Sequence, residues 1–121
     1  MTTLLHITTD EAWQAARAAG VYHTASLRTE GFIHCSLLGQ VIDVANARYR
    51  GRDDLVLLVI DGERVEPKIR YEDCYETGQD FPHSYGPLNL DAVIDVVAFP
   101  PGPDGTFTMP EQRLRNGLST R

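Results

Sequence analysis

Polar and apolar positions alternate from the start of the chain. Across residues 4–8, Leu5 and Ile7 fall on one side and His6 and Thr8 on the other, the period of a short half-buried strand. Thr8 followed three residues later by Glu11 has the spacing of a capping box. The alanine-rich stretch 10–19 then sets Trp13, Ala16 and Gly20 on one helical stripe, with Gly20 a natural C-terminal stop. Residues 21–28 fit neither period and read equally as extended chain or loop. Residues 31–35 read as a second short strand. Ser36 then stands as the cap of a second helix over 37–50, with Val41, Val44, Ala45 and Arg48 or Tyr49 on its stripe and Gly51 ending it.

Residues 54–60 are almost continuously Leu, Val and Ile, as in a central strand covered on both faces. Asp61-Gly62 marks a turn. In 68–72, Ile69 and Tyr71 oppose Lys68, Arg70 and Glu72, and 73–80 is polar loop. Residues 81–87 read as a rigid aromatic loop, because Pro82 and Pro87 fix their own φ and restrict the residues before them. A last strand spans 92–99, and the Pro/Gly run 100–105 breaks regular structure. Because strands and helices do not alternate strictly, the pattern predicts an α+β fold with a mixed, mainly antiparallel sheet and two main helices. One domain is expected over 1–110, with 111–121 a flexible C-terminal tail.

With 121 residues, the chain has room for one core. Eleven Lys and Arg against seventeen Asp and Glu give a net charge of −6, which argues against a long nucleic acid but leaves room for a small anion held by a few local donors. The longest apolar run, 55–60, is strand-sized, so no membrane span is expected. The start MTTLLHITTDEAW shows no basic region followed by an apolar stretch, which predicts no signal peptide and a cytoplasmic protein, monomeric or weakly dimeric. Cys35 and Cys74 are too few for a disulfide framework or a four-thiolate zinc site and are expected as reduced thiols.

The chain carries no GxGxxG, P-loop, GxSxG or HExxH motif. What stands out is its histidines. His6, His34 and His83 each lie at the edge of an apolar segment with Ser or Thr one or two residues on, whereas His23, beside Tyr22, reads as surface. Strand periodicity puts Phe32, His34 and Ser36 on one face and Ile33 and Cys35 on the other, so Cys35 goes to the core rather than to a nucleophilic pair with His34. A helix starting after Ser36 would place His34 near free N–H groups that favour anions and a neutral imidazole. His83, between Phe81 and Tyr85, would bound a ligand pocket. Arg28 and Arg70 are candidate phosphate or carboxylate clamps, and Glu72 a candidate acceptor for a sugar hydroxyl. The three histidines come from separate segments with no HxH or HxxxH spacing, so no metal site is assigned to them.

Together, Leu5-His6-Ile7-Thr8, Trp13, EGFIHCS (30–36), Gln40, Ala45-Asn46, the 54–58 strand, Glu72 and FPHSYGPL (81–88) resemble the domain of unknown function 952 family over about residues 4–99. That resemblance implies a small, mostly bacterial protein whose fold is similar to ADP-ribosyltransferases. In such folds a first-strand histidine followed by Thr or Ser contacts the ribose and nicotinamide of NAD, a second histidine or aromatic stacks nearby, and a third residue, often Glu, completes the site. His6 with Thr8 matches the first position and His34 with Ser36 the second, with His83 or Glu72 at the third. The resemblance therefore implies a cleft binding NAD or another phosphorylated nucleotide. His6, His34, His83 and Glu72 would be its chemical residues, and Thr8, Tyr22, Arg28, Phe32, Ser36, Gln40, Arg70, Phe81 and Tyr85 its ligand contacts. The alternative is a non-enzymatic metabolite- or protein-binding module of the same fold, since no unmistakable nucleophile or acid–base pair is present.

Overall fold

A computed structural model describes residues 2–110; the expected tail at 111–121 lies outside the described residues. The order of elements is β1 (Thr3–Thr9), α1 (Asp10–Ala19), β2 (Val21–Tyr22), α2 (Ala25–Thr29), β3 (Ile33–His34), α3 (Val41–Arg48), β4 (Leu55–Asp61), β5 (Ile69–Glu72), β6 (Phe81–Ser84), β7 (Leu88–Asn89) and β8 (Val93–Ala98). The strands form antiparallel sheets ordered β1-β4-β8, β3-β6-β5 and β2-β7, so the fold is α+β as the pattern predicts. No helix among the described residues is long and apolar enough to cross a membrane.

β4 is the middle strand of the first sheet, which explains its unbroken apolar run. Val56, Leu58 and Ile60 pack to one side with Trp13, Ala16, Tyr22, Ile33, Cys35 and Leu88. Leu55, Leu57 and Val59 pack to the other side with Leu5, Ile7, Val41, Ala45, Phe99 and Phe107. β1 is an edge strand paired with β4, His6 opposite Leu58 and Thr8 opposite Val56. The expected split of β1 therefore holds: Leu5 and Ile7 enter the second core, while His6 and Thr8 face the side of Tyr22.

Four local expectations are corrected. The cap of α1 is Thr9, not Thr8: its hydroxyl accepts the Ala12 N–H at 3.0 Å, and Gly20 closes the helix with φ 85°. Residues 21–28 resolve into β2 and the start of α2. The second long helix starts at Val41, because Ser36 is held in an antiparallel bridge to Leu5 (N···O 2.8 Å each way) rather than at a helix start. Residues 37–40 instead form a turn in which the Gln40 side chain accepts the Leu37 N–H at 3.0 Å. Finally, 81–84 is not a loop but the buried middle strand β6. Pro82 lacks an N–H, but its carbonyl accepts the Cys35 N–H at 3.0 Å, so the proline removes one rung of the ladder and leaves the rest.

Candidate functional site

Beyond the Leu5–Ser36 backbone pair, the free edge of β1 borders a cleft of about 700 Å³, within the ~300–1,000 Å³ of small-molecule sites. Residues Leu5 to Thr9 run along it. His6, Thr8, Tyr22, His34, Ser36, Tyr75 and Phe81 contribute to its walls, and Arg48, Tyr49 and Arg52 close the α3 side.

The floor is a chain of hydrogen bonds. His6 Nδ1 lies 2.5 Å from the His34 carbonyl, His6 Nε2 lies 2.8 Å from the Tyr22 hydroxyl, and that hydroxyl lies 2.8 Å from Thr8 Oγ1. Burial lowers His6 to a pKa of about 4, so the ring is neutral near pH 7. A carbonyl can only accept, so Nδ1 carries the proton. Nε2 must then accept from Tyr22, whose hydroxyl also contacts Thr8 Oγ1. Burial also pushes the Tyr22 phenol up to about 12, and it keeps its proton. Had Thr8 capped α1, its hydroxyl would not have been free for this chain; the one-residue shift of the cap to Thr9 releases it.

The second sheet supplies the other histidines. His34 pairs with His83 and His83 with Arg70 across β3-β6-β5, which puts these side chains on one face, with Phe32, Phe81 and Glu72 two residues along. His83 is fully buried and stacks on Phe32 with centroids 4.1 Å apart and planes 13° apart. Its Nδ1 lies 3.1 Å from Glu72 Oε1 and its Nε2 lies 3.2 Å from the Tyr75 hydroxyl. Tyr75 also bonds His34 Nδ1, and His34 Nε2 lies 2.9 Å from Glu30. Tyr85 donates to Glu72, whose carboxyl is held below its ordinary pKa by the hydrogen bonds from Tyr85 and His83.

Of the expected site residues, then, His6, Thr8, Tyr22, His34, Ser36 and Phe81 come together along the cleft. His83, Glu72, Phe32 and Tyr85 form a second cluster that reaches the cleft through Tyr75 and His34 rather than lining it. Arg28 is exposed on α2, and Arg70 lies over the Tyr85 ring at 5.4 Å. Gln40 donates to the Asp80 carbonyl at 2.8 Å and ties its own turn to the loop before β6. None of these three lines the cleft. The helix-terminus effect expected at His34 does not arise, because α3 begins seven residues later. Cys35 is buried and its thiol is pushed up to about 12 by burial, as fits a core residue. His23, expected at the surface, is exposed at the cleft rim.

Tyr75 and Arg48 are among the cleft residues that sequence reasoning missed. Tyr75 comes from the 73–80 loop, which the carboxylate of Asp73 organises by accepting from the Thr77 and Gly78 N–H groups at 3.0 and 2.7 Å. Arg48 lies with its guanidinium 5.2 Å from the Tyr75 ring centroid. Nothing local in a polar loop announces Tyr75, whereas the helical period offers Arg48 or Tyr49 for the α3 stripe and gives neither a role.

The chain is similar to the protein CC0527 from Caulobacter crescentus. Its crystal structure is 29% identical, with a TM-score of 0.82 over 92% of this chain and 97% of that one. Its solution structure is 30% identical, with a TM-score of 0.79 over 93% and 97%. Both come from structural genomics work. No curated protein matches the chain. Residues 7–96 match the model of the family described as protein of unknown function DUF952, and the chain belongs to that family.

Proposed function

We propose that the cleft binds a phosphorylated nucleotide, with NAD or an ADP-ribose-type molecule the leading candidate, in a cytoplasmic protein with a fold like that of the ADP-ribosyltransferases. The observation that carries the reading is the pairing of Arg48 with the Tyr75 ring above the Thr8–Tyr22–His6 chain. A planar ring, a guanidinium and fixed hydroxyls in one cleft are the chemistry of a base, a phosphate and a ribose. In this reading Ser36 contacts the sugar, the His34 ring walls it, and Arg48 meets phosphate, Arg52 being paired with Asp54 at 2.7 Å. His6 acts as a positioning residue, since both its nitrogens are engaged. Glu72 and His83 act on the cleft through Tyr75 and His34.

The test is an NMR titration with NAD, ADP-ribose and an unphosphorylated nucleoside. Shifts at Thr8, Tyr22, His34 and Arg48, and a tenfold or greater loss of affinity in Arg48→Ala, are expected for the phosphorylated ligands. No shift at those residues at millimolar ligand overturns the reading.

One observation favours a binding module over a transferase: the cleft lining contains neither an accessible thiol nor the Glu72 carboxylate. That version predicts thermal stabilisation by the ligand, about 2.7 kcal/mol at a hundredfold excess over Kd, with no turnover.

A further inference from the structure

Next to Tyr75, and outside the cleft lining, three side chains of different chemistry converge. Glu72 ends β5, Cys74 follows two residues later, and His83 lies on the neighbouring strand β6. One ligand atom from each, a carboxylate oxygen, Sγ and Nδ1, lies within 4.8 Å of the other two. His83 Nδ1 is 3.1 Å from Glu72 Oε1 and 3.9 Å from Cys74 Sγ. Ligands around a tetrahedral zinc ion stand about 3.4–3.8 Å apart, given Zn–N and Zn–O near 2.1 Å and Zn–S near 2.3 Å. Two of the separations lie within about half an ångström of that range. The third closes by a shift of about an ångström in Cys74, which is exposed.

The hydrogen bonds around His83 accommodate an ion at its Nδ1. The contacts Glu30–His34, His34–Tyr75, Tyr75–His83 and His83–Glu72 form one unbroken chain between two carboxylates. With one hydrogen on each ring, two imidazoles and a phenol bring three hydrogens to four contacts, and the fourth contact is met by a second proton on a ring or by a metal cation. A cation on His83 Nδ1 is compatible with the rest of the chain: His83 Nε2–H donates to Tyr75, Tyr75 donates to His34 Nδ1, and His34 Nε2–H donates to Glu30. Every hydrogen then has an acceptor, and the imidazole that binds the ion has the outer partner that metal-bound histidines ordinarily have. Tyr85, donating to Glu72, plays the same part for the carboxylate.

We propose that Glu72, Cys74 and His83 form a site for a single divalent metal ion of the zinc class, with the fourth coordination position open to water on the exposed side of Cys74. A thiolate, a carboxylate and a neutral imidazole neutralise a dipositive ion, and the mixed S, N, O set suits zinc over magnesium or calcium. The ring of His83 is preset by its stacking on Phe32, so binding has little side-chain freedom to remove there. This site shares Glu72 and His83 with the nucleotide reading but needs no nucleotide to test.

The experiment is titration of the untagged full chain, reduced and stripped with chelator, with Zn²⁺ and with Co²⁺ as a spectroscopic probe. One ion per chain is expected, with a thiolate-to-cobalt charge-transfer band and tetrahedral d–d absorption. Cys74→Ser should abolish the charge-transfer band and weaken Zn²⁺ binding at least tenfold. As Cys74 is exposed, that variant should fold; Glu72→Gln is the second variant. Absence of binding, or binding unchanged in both variants, overturns the proposal, as does a cobalt spectrum without thiolate character.

Discussion

His6 shows how burial and hydrogen bonding divide the work at a single residue. The ring is neutral because it is buried, and the two bonds it makes need that neutral form. Its folded pKa of about 4 lies below the unfolded value of 6.5, so between these values the unfolded chain binds more protons. Stability from this group is present above pH 6.5 and falls as pH drops toward 4, by about 3 kcal/mol in all. Urea unfolding followed across that window should show the slope, and His6→Gln should flatten it whatever its starting stability. The two thiols differ just as sharply. With Cys35 buried and Cys74 exposed, a disulfide reagent should titrate one thiol in the native, metal-free protein and two in denaturant.

At the scale of elements, the cap and the central strand give the clearest expectations. Thr9→Ala removes the hydroxyl that accepts from Ala12 and should cost about 1 kcal/mol in chemical denaturation, while Thr8→Ala should leave α1 intact and disturb Tyr22 instead. Leu57→Ala opens a cavity in a fully buried position of β4 and should cost about 2–5 kcal/mol. What was legible in the sequence divides along the same line. Period-two alternation correctly split β1, put Cys35 in the core and set Phe32 beside His34. It also put Arg70 and Glu72 on one face. It could not show that these two faces are one face, because that depends on the register of β6 with both neighbours, and register is a long-range property. β6 itself was hidden by Pro82, whose local preference for a break was overridden by burial on both sides. Tyr75 was hidden because a loop residue has no period, and Ser36 misled because a residue type that favours caps also serves in a bridge.

The whole molecule depends on residues past the last strand. Phe107 is buried and stacks on Phe99 with centroids 4.8 Å apart. Asn46 on α3 holds its backbone from both sides, accepting the Phe107 N–H at 2.7 Å and donating to its carbonyl at 3.4 Å. The chain between 100 and 107 is therefore a strap across the second core rather than a trailing end. Phe107→Ala should cost about 3–5 kcal/mol, read from the shift in denaturation midpoint at constant slope, and should loosen α3 with it.

The Leu5–Ser36 pair has a consequence for how the molecule comes apart. Two backbone bonds and the His6 ring join the strand that carries Thr8 to the segment that carries His34. A joint so short can part without melting either sheet. Amide hydrogens of Leu5 and Ser36 should therefore exchange with deuterium sooner than those of the neighbouring Leu57 and Leu58, and mild acid should quicken them first. The line along which the fold yields would then run beside the cleft, and an occupant bridging the two segments would close it like a rivet.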